Sequence, residues 1–158
     1  MERFQFKDFF ARKNVEEKKE RRAKPRVPVN GMYSVLIVDD SKTVLHALQV
    51  ILEQGGYKTL TAMEGDTALD VARTHKPDVV LMDVVMPGMN GFQATRAISK
   101  DPSTQDIPVV LISGSEQLTE KAWGMRLGAK GFLAKPIQRG PLFTTIESLL
   151  GLNAVALA

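Results

Sequence analysis

The chain has 158 residues, 44% of them apolar and 25% charged, the proportions of a soluble globular domain with an appendage. It contains no cysteine, which excludes disulfide scaffolds, thiolate metal sites and cysteine nucleophiles, and no apolar run near the ~20 residues that span a bilayer. Its net charge of +3 is uneven: residues 1–31 hold ten basic and five acidic side chains, leaving eleven basic and thirteen acidic ones for residues 32–158. A mildly acidic body is not the footprint of a nucleic-acid-binding fold, so no nucleic-acid partner is expected.

Residues 1–31 form an N-terminal extension of distinct composition. Phe4, Phe6, Phe9 and Phe10 open it, a charged stretch follows, and Pro25 to Gly31 reads as a linker. Phe6, Phe9 and Phe10 fit one face of a short amphipathic helix; a solvated tail fits the composition equally. The segment lacks the apolar core of a signal peptide, so a cytoplasmic location is expected. Met32 also offers a second translation start, just where the regular pattern begins.

From Met32 strands and helices alternate. Val35–Val38 is an apolar strand ending in Asp39-Asp40, and Ser41 caps a helix carrying Val44, Leu48, Ile51 and Leu52 on one face until Gly55-Gly56. Tyr57–Leu60 is the second strand. Asp66–Arg73 is a helix with Ala68, Leu69 and Ala72 inward. Val79–Met82, the third strand, ends in Asp83, and Gly91–Ser99 is the next helix. Val109–Ile112 is a strand ending in Ser113, Gln117–Leu127 a helix closed by Gly128, and Gly131–Ala134 a strand ending in Lys135-Pro136. Leu142–Leu150 is the last helix, with Leu142, Phe143, Ile146 and Leu150 buried, and 152–158 is a short tail. Five strands alternating with five helices predict an α/β fold, a doubly wound parallel sheet covered on both faces.

Ligands of such sheets bind at the carboxyl ends of the strands. Those ends present Asp39, Asp40, Asp83, Ser113 and Lys135. Three carboxylates that close repel one another unless a cation lies among them, and a hard divalent ion with oxygen ligands, Mg²⁺, answers that need. The set suits a transferred phosphoryl group: carboxylates hold the metal, the Ser113 hydroxyl donates to one oxygen, and the Lys135 ammonium neutralises another. One carboxylate must be the nucleophile, and Asp83, ending the most apolar strand, is the candidate. His46 and His75 have no ligand-spaced partners and read as surface or packing residues, Trp123 as a structural or partner-facing helix residue.

Val-Asp-Asp-Ser at 38–41, Leu-Met-Asp-Val-Val-Met-Pro-Gly-Met-Asn-Gly at 81–91, Leu-Ile-Ser at 111–113 and Phe-Leu-Ala-Lys-Pro at 132–136 resemble the receiver domain of two-component response regulators, the CheY-like fold, over residues 32–151. Gly-Phe-Gln-Ala-Thr-Arg at 91–96 and Trp-Gly-Met-Arg-Leu-Gly-Ala at 123–129 look most like the stand-alone PilH-type regulators of type IV pilus twitching motility. The resemblance implies a flavodoxin-like sheet order of 2-1-3-4-5 and a phosphoacceptor rather than an enzyme. It implies that Asp83 takes a phosphoryl group from a CheA-like histidine kinase or phosphotransfer domain, in twitching motility or chemotaxis-like signalling. It implies Mg²⁺ on Asp39, Asp40, Asp83 and the backbone carbonyl of Val85, with Asp40 as a direct ligand. It makes Ser113 and Phe132 the switch pair and Lys135-Pro136 a cis peptide.

Alternatives weigh less. A haloacid-dehalogenase-type phosphatase needs a second Asp two positions after the nucleophile, where this chain has Val85. No phosphate-binding glycine loop of a nucleotide switch appears. A degenerate receiver would lack part of the acidic, hydroxyl and lysine set. No output domain is visible after residue 151, so the expected output is binding to a downstream protein. The extension 1–31 is expected to be dispensable for folding and to contact an acidic groove or an anionic membrane surface.

Overall fold

The computed structural model describes residues 31–115 and 117–152. The expectations for the N-terminal extension and the C-terminal tail lie outside those residues. The described elements run β1 (Ser34–Val38), α1 (Lys42–Gln54), β2 (Lys58–Ala62), α2 (Gly65–His75), β3 (Val79–Asp83), α3 (Gly91–Lys100), β4 (Val109–Ser113), α4 (Leu118–Arg126), β5 (Gly131–Ala134) and α5 (Arg139–Leu149).

All strand pairs are parallel and the sheet order is β2-β1-β3-β4-β5. Strand side chains alternate between faces, so each apolar run feeds two cores. Val35, Ile37, Val79, Leu81, Val110 and Ile112 pack with Leu45, Leu48 and Leu52 of α1 and Leu142, Phe143 and Ile146 of α5. Leu36, Val38, Val80, Met82, Val109 and Leu111 pack on the other face with Ala68 and Ala72 of α2 and Ala94 and Ile98 of α3. This double burial explains why the strands read as unbroken apolar runs rather than alternating ones. Each leucine that α1 seals contributes about 2 kcal/mol of apolar burial.

Helix bounds shift by one or two residues at several ends, and larger differences from the sequence expectation lie at β2, α5 and the core margins. β2 begins at Lys58 and reaches Ala62, which pairs with Val38. Tyr57 instead closes the end of α1, its N–H donating to the Leu52 carbonyl at 3.1 Å, while its ring lies 6.0 Å from that of Phe143. α5 starts at Arg139, because Pro141 is accommodated in its first turn, where no intrahelical N–H is needed. Val44, Ile51, Leu69 and Leu150 are half-buried at core margins, and Leu45 takes the inner position of α1. His46 and His75 are exposed.

The topology reverses between β1 and β3: β2 is laid down to one side of β1 and all later strands to the other. The loops after β1 and β3 diverge there, leaving a crevice at the carboxyl edge.

Candidate functional site

Two acids of the crevice are held by the fold rather than by their own flexibility. Asp39 directly follows β1 and its N–H donates to the Ala62 carbonyl at 3.2 Å, extending the sheet by one residue. Its carboxylate accepts from the Ser41 N–H at 2.8 Å, and the Ser41 hydroxyl in turn caps α1 by accepting from the Val44 N–H. Asp83 is the last residue of β3, opposite Ile112 of β4. Asp39 and Asp83 are each 4% exposed, whereas Asp40 faces solvent.

One carboxylate oxygen from each of Asp39, Asp40 and Asp83 lies within 4.8 Å of the others. Opposite ligands of Mg²⁺ lie about 4.2 Å apart, at roughly 2.1 Å from the ion. Three acids gathered this closely can reach a magnesium ion placed among them once their side chains draw in on it. The hard oxygen donors suit that ion, and the charge repulsion among them is relieved by it.

Lys135 approaches from the far side. Its N–H donates to the Ser113 carbonyl at 2.8 Å, so the β4–β5 ladder fixes its backbone, and its peptide bond to Pro136 is cis. Its ammonium lies 3.1 Å from Asp83 Oδ1 and 3.7 Å from Asp39 Oδ2. Burial alone would depress the Lys135 pKa, but the hydrogen bond and charge of Asp83 outweigh it and raise the value. Asp83 also titrates above its ordinary range. Burial is the largest cause, and the charges of Asp39 and Asp40 add to it, together outweighing the lowering by Lys135. The crevice is thus over-supplied with negative charge, and one lysine does not balance it.

Ser113 ends β4 and is 3% exposed. Its hydroxyl donates to Glu120 Oε2 on α4 at 3.1 Å and accepts from the Ser115 N–H at 3.0 Å. Val85, two residues beyond Asp83, is 76% exposed. Phe132 pairs with Leu111 in the β4–β5 register and is half-buried against the core beneath α2 and α3.

Sequence reasoning passed over two residues that shape this site. Glu120 is one; a single Glu on a helix surface carries no pattern. Gly91 is the other. A Cβ there would sit 2.1 Å from the Asp83 carbonyl oxygen, so the first turn of α3 can press against the end of β3 only because this residue has no side chain. The capping box of Asn90 and Gln93, each side chain bonded to the other's N–H, fixes the helix start at that point. Gly91→Ala is expected to destabilise the protein by about 2 kcal/mol, the scale of an overpacked site. A urea melt with an unchanged midpoint would disprove the close approach.

The chain matches the family model described as response regulator receiver domain over residues 35–147. It is 48% identical over 119 residues to the protein PilH of Pseudomonas aeruginosa, covering 75% of this chain and 98% of that protein. Among solved structures, the chemotaxis protein CheY4 of Vibrio cholerae superposes with a TM-score of 0.72 at 31% identity, over 75% of this chain and 99% of that one. A chain of the CheX–CheY–BeF₃–Mg²⁺ complex from Borrelia burgdorferi superposes with a TM-score of 0.70 at 28% identity, over 75% of this chain and 89% of that one.

Proposed function

This chain belongs to the response regulator receiver domain family of two-component signalling, and on that premise we propose that Asp83 is its phosphoacceptor, served by Asp39, Asp40, Lys135 and Ser113. The observation that carries this reading is the 3.1 Å approach of Lys135 to Asp83 at the end of the central strand, with two further acids within metal-ligand reach.

A carboxylate oxygen of Asp83 attacks the phosphorus of a phosphohistidine. The new P–O bond forms as the P–N bond breaks, and the electron pair returns to the imidazole of a histidine kinase or phosphotransfer domain. Asp39, Asp40, Asp83 and the backbone carbonyl of Val85 would hold Mg²⁺, which would supply charge neutralisation to the phosphoryl oxygens. The Lys135 ammonium, 3.1 Å from Asp83 Oδ1 before transfer, then pairs with the phosphoryl group and takes up part of the charge it brings. The Ser113 hydroxyl donates to a phosphoryl oxygen, and Phe132 moves into the space the serine leaves. The change in the face built from α4, β5 and α5 is what a downstream protein reads.

In this reading the chain is a signalling protein that assists its own phosphorylation and acts in the cytoplasm. No described helix is long and apolar enough to cross a membrane. Likeness to PilH supports a role in type IV pilus twitching motility or chemotaxis-like signalling, with a CheA-like kinase as donor. The N-terminal extension, residues 1–31, is read as a separate module that contacts an acidic groove or an anionic membrane surface. The direct test of the phosphoacceptor is incubation with acetyl phosphate and Mg²⁺, borohydride reduction and peptide mapping. Homoserine at position 83 supports the assignment, and homoserine at position 39 or 40 overturns it.

Hydrolysis of the acyl phosphate needs a water in line with the P–O bond. Val85 is 76% exposed at the mouth of the site and offers that water no hydrogen bond; Ser115 offers a short hydroxyl at most. The phosphorylated state is therefore expected to decay slowly. The double substitution Val85→Asn with Ser115→Glu supplies two orienting groups and should speed decay by about tenfold. Equal decay rates in phosphate-release assays would contradict the account.

A further inference from the structure

The Ser113 hydroxyl has one proton, and in this structure that proton goes to Glu120 on α4 at 3.1 Å. A hydroxyl that donates to Glu120 cannot at the same moment donate to a phosphoryl oxygen on Asp83. The two interactions exclude each other, and the helix is a party to the choice.

α4 is held thinly apart from this bond. Gly124 is its one buried residue, whereas Leu118 is 82% exposed and Trp123 51%. A Cβ at Gly124 would lie 2.4 Å from Leu111 Cδ1, so the helix seats its backbone, not a row of side chains, on β4. Its N-cap, Gln117, makes no side-chain capping bond. Among the described residues, the Ser113–Glu120 bond is the only side-chain hydrogen bond between α4 and the sheet. Three buried leucines anchor α1 by contrast.

We propose that Glu120 is a positioning residue that latches α4 to Ser113 in the unphosphorylated state, and that a phosphoryl group on Asp83 opens the latch by accepting the serine's hydrogen bond in place of Glu120. The inference rests on the assignment of Ser113 as the switch hydroxyl. Its physical content is linkage: a phosphoryl mimic binds the state in which Ser113 has left Glu120, so its affinity is reduced by whatever that bond contributes. Removing the acceptor removes the handicap. Ala at 120 is also a good helix former, so the variant keeps its fold.

The chain's one tryptophan, Trp123, lies a turn beyond Glu120 and reports on α4 directly. The experiment titrates the full chain with beryllofluoride in saturating Mg²⁺ and follows Trp123 emission. Glu120→Ala is expected to tighten beryllofluoride binding by about tenfold, the scale of one hydrogen bond to a charged acceptor. Glu120→Gln keeps a carbonyl acceptor and loses the charge, and should tighten binding less than Glu120→Ala does, by about threefold. Ser113→Ala should weaken binding, and in that background Glu120→Ala should add nothing, since the latch is already gone. Equal effects of Ala and Gln would show that Glu120 acts only as a charge near the acidic crevice, and would overturn the latch. The latch is also overturned if Glu120→Ala tightens binding as much without Ser113 as with it, or leaves it unchanged while Ser113→Ala weakens it. If Ser113→Ala itself leaves binding and emission unchanged, the switch assignment fails, and the latch with it.

Discussion

Asp83→Asn is expected to abolish phosphorylation by acetyl phosphate completely and, at neutral pH, to make the protein more stable. The first effect follows from the role proposed for Asp83: an amide oxygen lacks the charge to attack phosphorus, and Lys135 lies nearer to Asp83, at 3.1 Å, than to Asp39, at 3.7 Å. The second follows from the electrostatics. Burial and the charges of Asp39 and Asp40 raise the Asp83 pKa in the folded state above the 3.8 of a free carboxyl, despite Lys135. Between those two values the native state holds a proton that the unfolded chain has released. Stability therefore falls as pH rises through that window, and the penalty is complete above the folded value. Asn carries no charge to desolvate, so its advantage should be present at neutral pH and vanish below about 3.8. Thermal melts of both proteins across pH, in the absence of divalent ions, measure this. A destabilised Asn variant at neutral pH would mean that the Lys135 ion pair dominates the crevice and that the acids there are not in excess.

How far the molecule is legible in its sequence depends on how local the signal is. The strands are plain because a doubly covered parallel sheet demands apolar residues on both faces, which leaves an unbroken run ending abruptly in a polar residue. Asp39, Asp83, Ser113 and Lys135 stand out for the same reason: each is the first polar side chain after such a run. The boundaries of β2 and α5 are harder, since each depends on a neighbour. Tyr57 belongs to the closure of α1 because Phe143, 86 positions away, receives its ring. Pro141 fits inside α5 because the turn that contains it needs no N–H there. Glu120 and Gly91 are silent. One is an ordinary helix-surface acid until β4 is folded beneath it; the other is an ordinary helix-start glycine until the Asp83 carbonyl is found where its Cβ would be. Tertiary proximity, not residue type, gives both their roles.

Asp40→Ala is expected to weaken Mg²⁺ binding by on the order of a hundredfold, at least the loss seen when a supporting group of a metal site is removed. Asp40 is the exposed member of the acidic trio, so it serves neither packing nor the β1 ladder, and its removal leaves the positions of Asp39 and Asp83 untouched. The substitution also leaves a fingerprint in the pH dependence. A magnesium ion held by Asp83 would require its ionised form, so affinity is expected to fall as pH drops through that group's raised pKa. Asp40 is one of the charges that raise it. In Asp40→Ala the residual Mg²⁺ binding should therefore persist to lower pH than in the parent, even though it is weaker at neutral pH. Calorimetric titration with Mg²⁺ over a series of pH values reads both effects at once. A loss of affinity without the acid shift would make Asp40 a ligand that does not interact with Asp83. Unchanged affinity at neutral pH would remove it from the ligand set, leaving Asp39 and Asp83 to hold the ion with backbone carbonyls and water.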